Sequence, residues 1–216
     1  MFLVYYDMIK IDIKGKLYAV EGGSGSGKNT LLEALAEKGY KIIRGIPSQN
    51  PPENSLLNQE SQEILDGARI NIHTMKADPL DIFNRYIKIM ESQQKEAVDL
   101  KKKGMKVFLN RSVISFFAHY SLVGGAKLNE ELRKLTEKIY NDFLREINGI
   151  IVMEKPIKGV AKEGIAGLQN EESEFINKTV EELNKDKNIL YLILNANTML
   201  VSDEVSRIEK FIDGCF

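Results

Sequence analysis

Short apolar runs alternate with longer stretches of helical periodicity along this 216-residue chain. Five runs, at residues 17–21, 41–44, 107–110, 150–154 and 190–194, have the length and bounding turns of buried strands. Between the first two, Leu31, Leu32, Leu35 and Ala36 fall on one helical face, and Gly39 is placed to end that helix in a left-handed cap. A long helix is predicted over residues 79–103, with Phe83, Tyr86, Met90, Ala97 and Leu100 at helical spacing and Gly104 after it. Another is predicted over 131–148, its stripe made by Leu132, Leu135, Ile139, Phe143 and Ile147, and further helices begin at Glu172 and Asp203. Strands alternating with helices give an α/β fold: three layers, with a five-stranded parallel sheet between helices. The Pro-, Asn- and Ser-rich stretch 47–54 reads as a loop within one domain.

Composition narrows the partners. A formal charge of -1 gives no field to draw the chain onto a nucleic acid polymer or an anionic membrane. The apolar start carries Asp7 and does not read as a signal peptide, and no run approaches a membrane span, so a cytoplasmic setting is expected. The single Cys215 has no intrachain partner, and His73 and His119 lack zinc-site spacing. A homodimer through exposed helix faces stays open.

The strongest chemical signal is EGGSGSGKNT. Gly22, Gly23, Ser24, Gly25, Ser26, Gly27, Lys28, Asn29 and Thr30 follow an apolar strand and lead into a helix. Glycines let consecutive N–H groups curl round an anion, the helix start adds partial positive charge, and Lys28 reaches the terminal phosphates of ATP. The residue after such a lysine is usually Ser or Thr, whose hydroxyl meets magnesium. Here it is Asn29, whose amide oxygen is a hard donor of the kind the ion takes.

This loop, with Glu21 before it and Thr30 two places after the lysine, resembles the EGxDGxGKxT loop of thymidylate kinases. NRSVISFFAHY, from Asn110, resembles their DRYxxSxxAYQ segment and the ERS motif of deoxynucleoside kinases, with Arg111, Ser112, Ser115 and Ala118 matching. The EFINKTVEEL stretch resembles the helix behind the family's lid, and LILNANTMLVSDEVSRIEKFI its last strand, turn and final helix. The likeness runs from Leu17 onward and leaves residues 1–16 as an N-terminal extension.

The resemblance implies a P-loop fold, ATP and Mg2+ as cofactors, and phosphoryl transfer to a nucleoside monophosphate. A deoxynucleoside kinase is the alternative. In the family three carboxylates stand where this chain has Ser24, Asn110 and the turn Arg44-Gly45-Ile46-Pro47. That difference opens a third reading, a nucleotide-binding regulator with weakened catalysis.

Phosphoryl transfer needs cations that converge on the transferring oxygens, which makes Lys28 and Arg111 the expected catalytic residues. Arg85, with Lys88 and Ser92 along one helix face, joins Phe83, Tyr86, Arg111 and Ser115 as expected acceptor-site residues. Asn29 and Asn110 are the expected magnesium-side residues. After the fourth strand, Lys155, Lys158 and Lys162 lie among glycines in a stretch, about 155–171, that suits a lid, with Lys158 and Lys162 reaching over ATP.

Overall fold

In the computed structural model the described residues are 15–23, 25–43, 79–115, 118, 134, 139–154, 166–187 and 189–214. Their strands are β1 (Lys16–Gly22), β2 (Lys41–Ile43), β3 (Lys106–Asn110), β4 (Gly149–Met153) and β5 (Tyr191–Leu194). The helices are α1 (Lys28–Glu37), α2 (Pro79–Lys102), α3 over residues 139–146, α4 (Ala166–Lys187) and α5 (Val201–Asp213).

The five strands form one parallel sheet in the order β2-β3-β1-β4-β5. Alternate residues of a strand face opposite sides, and here both sides are covered. Leu17, Ala19, Val107, Leu109, Ile150 and Val152 enter one core, with Met90 and Ala97 of α2, Phe143 and Leu144 of α3, and Ile176 and Val180 of α4. Tyr18, Val20, Phe108, Ile151 and Met153 enter the other, against Leu31, Leu32 and Leu35 of α1 and Val205, Ile208 and Ile212 of α5. Burial on both faces is why these strands are continuously apolar rather than alternating. Burying each such Leu or Ile contributes on the order of 2 kcal/mol.

Most predicted boundaries lie within one residue of the observed ones, and the larger differences have local causes. Ala36 is exposed, because α1 offers Leu31, Leu32 and Leu35 to the sheet and a fourth position lies past the edge of that stripe. Gly39 has φ +87°, and its N–H bonds Ala36 O at 2.9 Å, the left-handed stop that was predicted. The helix predicted through residue 148 ends at 146. Asn148 instead leaves the helix to join β1, accepting from Leu17 N at 2.9 Å through Oδ1 and donating its own N–H to Leu17 O at 2.7 Å. α4 begins at Ala166 rather than Glu172, since the good helix formers Ala166, Leu168 and Gln169 precede the acidic run. Leu132, Leu135, the 47–54 stretch, His73, His119 and Cys215 lie outside the described residues.

Candidate active site

The central strand β1 ends at Gly22, and the chain turns through residues 23–27 into α1 at the carboxyl edge of the sheet. Open α/β sheets bind ligands at this edge. Gly22 has φ +140°, and a Cβ built on it would sit 2.6 Å from Met153 O, so the loop closes over β4 only with glycine there. Gly27, at φ +89°, precedes α1 without a side-chain cap, and the first turn of the helix carries no acidic residue. The helix start therefore offers its N–H groups and partial positive charge to a ligand anion instead of to a side chain.

Lys28 is buried beneath this loop. Its ammonium donates to Gly22 O at 2.7 Å, Gly23 O at 2.6 Å and Ser26 Oγ at 3.1 Å. The cation is thus held at the centre of the loop by the turn that surrounds it. Asn29 and Thr30 are exposed on the first turn of α1.

Asn110, the last residue of β3, faces α1. Its Nδ2 donates to Asn29 Oδ1 at 3.0 Å, while its buried Oδ1 has no hydrogen-bond partner among the described residues. Two neutral amides so occupy this corner of the loop.

Arg111 follows in a left-handed conformation, φ 66°, the sole non-glycine residue with positive φ among those described. A side chain in that region costs on the order of 1–3 kcal/mol and persists only where its surroundings impose it. Two neighbours impose it here. Arg111 N–H continues the sheet ladder to Val20 O at 2.9 Å. One residue on, Ser112 N–H donates to Glu21 Oε1 at 2.9 Å. The hydroxyls of Ser112 and Ser115 also donate to the Glu21 carboxylate, and Ser112 Oγ accepts from Ile114 N at 3.2 Å, capping the turn at 113–115.

Glu21 is fully buried. A buried charge is tolerated when donors surround it, and hydrogen bonds to a charged group contribute about 1.5–3 kcal/mol each. The Tyr140 phenol of α3 lies close enough to feel this carboxylate: burial first, then the charges of Glu182 and Glu21, push its pKa up to about 12. On the other side of the loop, Asn195 after β5 donates Nδ2 to Glu154 Oε2 at 2.9 Å and accepts Asn197 N–H at 3.1 Å. This fixes the turn beyond the last strand.

The structure brings Gly22, Gly23, Gly25, Ser26, Gly27, Lys28, Asn29, Thr30, Asn110 and Arg111 to one edge of the sheet. Ser115 is buried with its hydroxyl on Glu21. Ser24, Lys155, Lys158 and Lys162 lie outside the described residues, as do Arg44 to Pro47, while Phe83, Arg85 and Tyr86 are placed on α2 by their backbone alone. Residues 166–171 of the predicted lid stretch belong to α4. Glu21 is not among the residues that the sequence marks out for the site. The signal available was the Ser-x-x-Ser spacing of Ser112 and Ser115, one helical turn apart, opposite a charge that interrupts an apolar strand.

A parallel 2-3-1-4-5 sheet with a glycine-rich loop between its central strand and the next helix defines the P-loop nucleotide kinase fold. Within that class the chain resembles the deoxynucleoside and thymidylate kinases. It matches the deoxyadenosine kinase of M. mycoides, solved with bound dATP, at TM-score 0.51 and 15% identity, covering 91% of this chain and 99% of that one. It matches the thymidylate kinase of Ehrlichia chaffeensis at TM-score 0.56 and 16% identity, covering 90% and 98%. A NadR protein in complex with NAD and AMP-PNP matches at TM-score 0.61 and 18% identity, over 93% of this chain but 50% of that one. No protein-family model and no curated protein sequence matches. Among the described residues, no helix is long and apolar enough to cross a membrane, and no group of three His, Cys, Asp or Glu side chains is gathered as a metal site.

Proposed function

We propose that this chain is an ATP-dependent phosphotransferase of the thymidylate-kinase type, moving the terminal phosphoryl group of ATP to a nucleoside monophosphate in the cytoplasm. The observation that carries this reading is Lys28, buried at the centre of a loop whose glycines and uncapped helix start are arranged for an anion. Lys28 and the helix start neutralise the terminal phosphates, and Arg111 grips the transferring group with its planar fork. An acceptor oxygen then attacks phosphorus, the bond to the bridging oxygen breaks, and ADP leaves with that electron pair. Arg85, Phe83, Tyr86 and Ser115 remain the acceptor-side residues of this reading, and Lys158 and Lys162 its lid.

The choice of monophosphate over nucleoside rests on the sequence Arg44-Gly45-Ile46-Pro47 after β2, which has no carboxylate where the resembled kinases carry one. A nucleoside hydroxyl must lose a proton on attack, whereas a phosphate oxygen is already anionic. Asn110 is an amide, and the Glu21 carboxylate is buried under three donors.

Magnesium fits the corner between β3 and α1. The buried, unpartnered Oδ1 of Asn110 and the nearby Oδ1 of Asn29 are hard oxygen donors of the type it prefers. When bound there, the ion supplies charge neutralisation on the phosphates. Both donors are neutral, which favours a second reading: a nucleotide-binding regulator in which transfer is slow.

The test is ATP turnover against a panel of nucleosides and nucleoside monophosphates, with plain ATP binding measured beside it. Turnover with a monophosphate supports the kinase reading, tight ATP binding without turnover supports the regulator, and the absence of both contradicts the site.

A further inference from the structure

The central strand carries an anomaly that phosphate binding does not require. Leu17, Tyr18, Ala19 and Val20 are apolar and buried, and the next residue, equally buried, is a carboxylate. Packing alone favours another apolar residue there. What the carboxylate adds is a set of acceptors, and three donors reach it from the residues just after Arg111: Ser112 N–H at 2.9 Å, the Ser112 hydroxyl and the Ser115 hydroxyl. Arg111 itself sits at φ 66° with its N–H on Val20 O, one residue before Glu21 in β1.

We infer that Glu21 is a positioning residue, whose carboxylate clamps the Arg111–Ser112 corner in its left-handed bend and so aims the guanidinium at the phosphate site. The bend comes directly after β3, and the next N–H, that of Ser112, meets Glu21. Without the clamp, Arg111 relaxes toward ordinary backbone angles and its side chain leaves the loop. Glu21 touches no substrate and acts through Arg111.

This inference rests on the reading of Arg111 as a ligand of the terminal phosphate. Calorimetry of the full chain with MgATP and with MgADP gives the ratio of the two affinities, which does not change when a variant only lowers the folded fraction. Arg111→Ala is expected to reduce the preference for MgATP about tenfold, and Glu21→Gln about fivefold, with Glu21→Gln adding less than about twofold in the Arg111→Ala background. Equal effects of Glu21→Gln with and without Arg111, or no effect in the parent, overturn the clamp. If Arg111→Ala alone leaves the ratio unchanged, the reading of Arg111 fails and the clamp fails with it. An effect of Arg111→Ala with none of Glu21→Gln rejects the clamp alone. Should Glu21→Gln not fold, Ser115→Ala removes one donor from the same carboxylate and is expected to shift the ratio in the same direction, about twofold. An unchanged ratio in that variant also overturns the inference.

Discussion

Asn110 Nδ2 lies 3.0 Å from Asn29 Oδ1, joining the end of β3 to the first turn of α1 by a bond between two uncharged side chains. In the resembled kinases a carboxylate stands at the position of Asn110, so this pair sets two neutral oxygen donors at the corner proposed for the phosphates.

Asn110→Asp restores that charge. It is expected to lower the magnesium concentration for half-maximal ATP affinity about fivefold, because an anionic oxygen holds a divalent ion better than an amide oxygen. Magnesium titrations of ATP affinity in parent and variant at one ionic strength check this. Superimposable curves would place residue 110 outside the metal's surroundings.

Gly22→Ala is expected to destabilise the fold by about 2 kcal/mol or more, since φ +140° is closed to a side chain and the new Cβ meets Met153 O and Ser26 Oγ at 2.6 and 2.9 Å. Urea denaturation measures it. Gly39→Ala also strains a positive φ, but nothing lies within 4 Å of its Cβ, so it should cost less.

How much of this was legible follows from the range of each interaction. The strands were readable because both faces of the sheet are buried, which leaves an uninterrupted apolar run in the sequence. The loop was readable because its glycines and Lys28 lie within seven consecutive residues. The clamp on Arg111 was legible only in its separate parts, the Ser112 and Ser115 spacing and the charge in β1, since Glu21 and its serines are 91 and 94 residues apart and the bend at Arg111 leaves no local signature. The Asn110–Asn29 bond spans 81 residues and is hidden for the same reason, although each side chain stands out in its own motif.

Glu204 provides a pH test. It is buried in the first turn of α5, its Oε1 has no partner among the described residues, and desolvation raises its pKa above the ordinary 4.5. Below that ordinary value both folded and unfolded chains hold the proton, and this group's contribution to stability is complete. As pH rises the unfolded chain releases its proton first, so stability falls until pH passes the raised folded value. Glu204→Gln should remove this loss, giving a higher melting temperature than the parent at pH about 7 and little or no gain at pH about 4. Parallel melting curves across that range would show that the carboxyl is not desolvated.

The central claim is that the turn around Lys28 binds the phosphates of ATP, and calorimetric titration of MgATP into the parent and Lys28→Ala tests it most directly. The ammonium donates to two backbone carbonyls and one hydroxyl of the loop itself, and its removal should leave the sheet and helices intact by circular dichroism. The account predicts tight binding in the parent and a loss of at least about thirtyfold in the variant, equivalent to about 2 kcal/mol for a charged hydrogen-bonding contact. Equal MgATP affinity in the two proteins would contradict it.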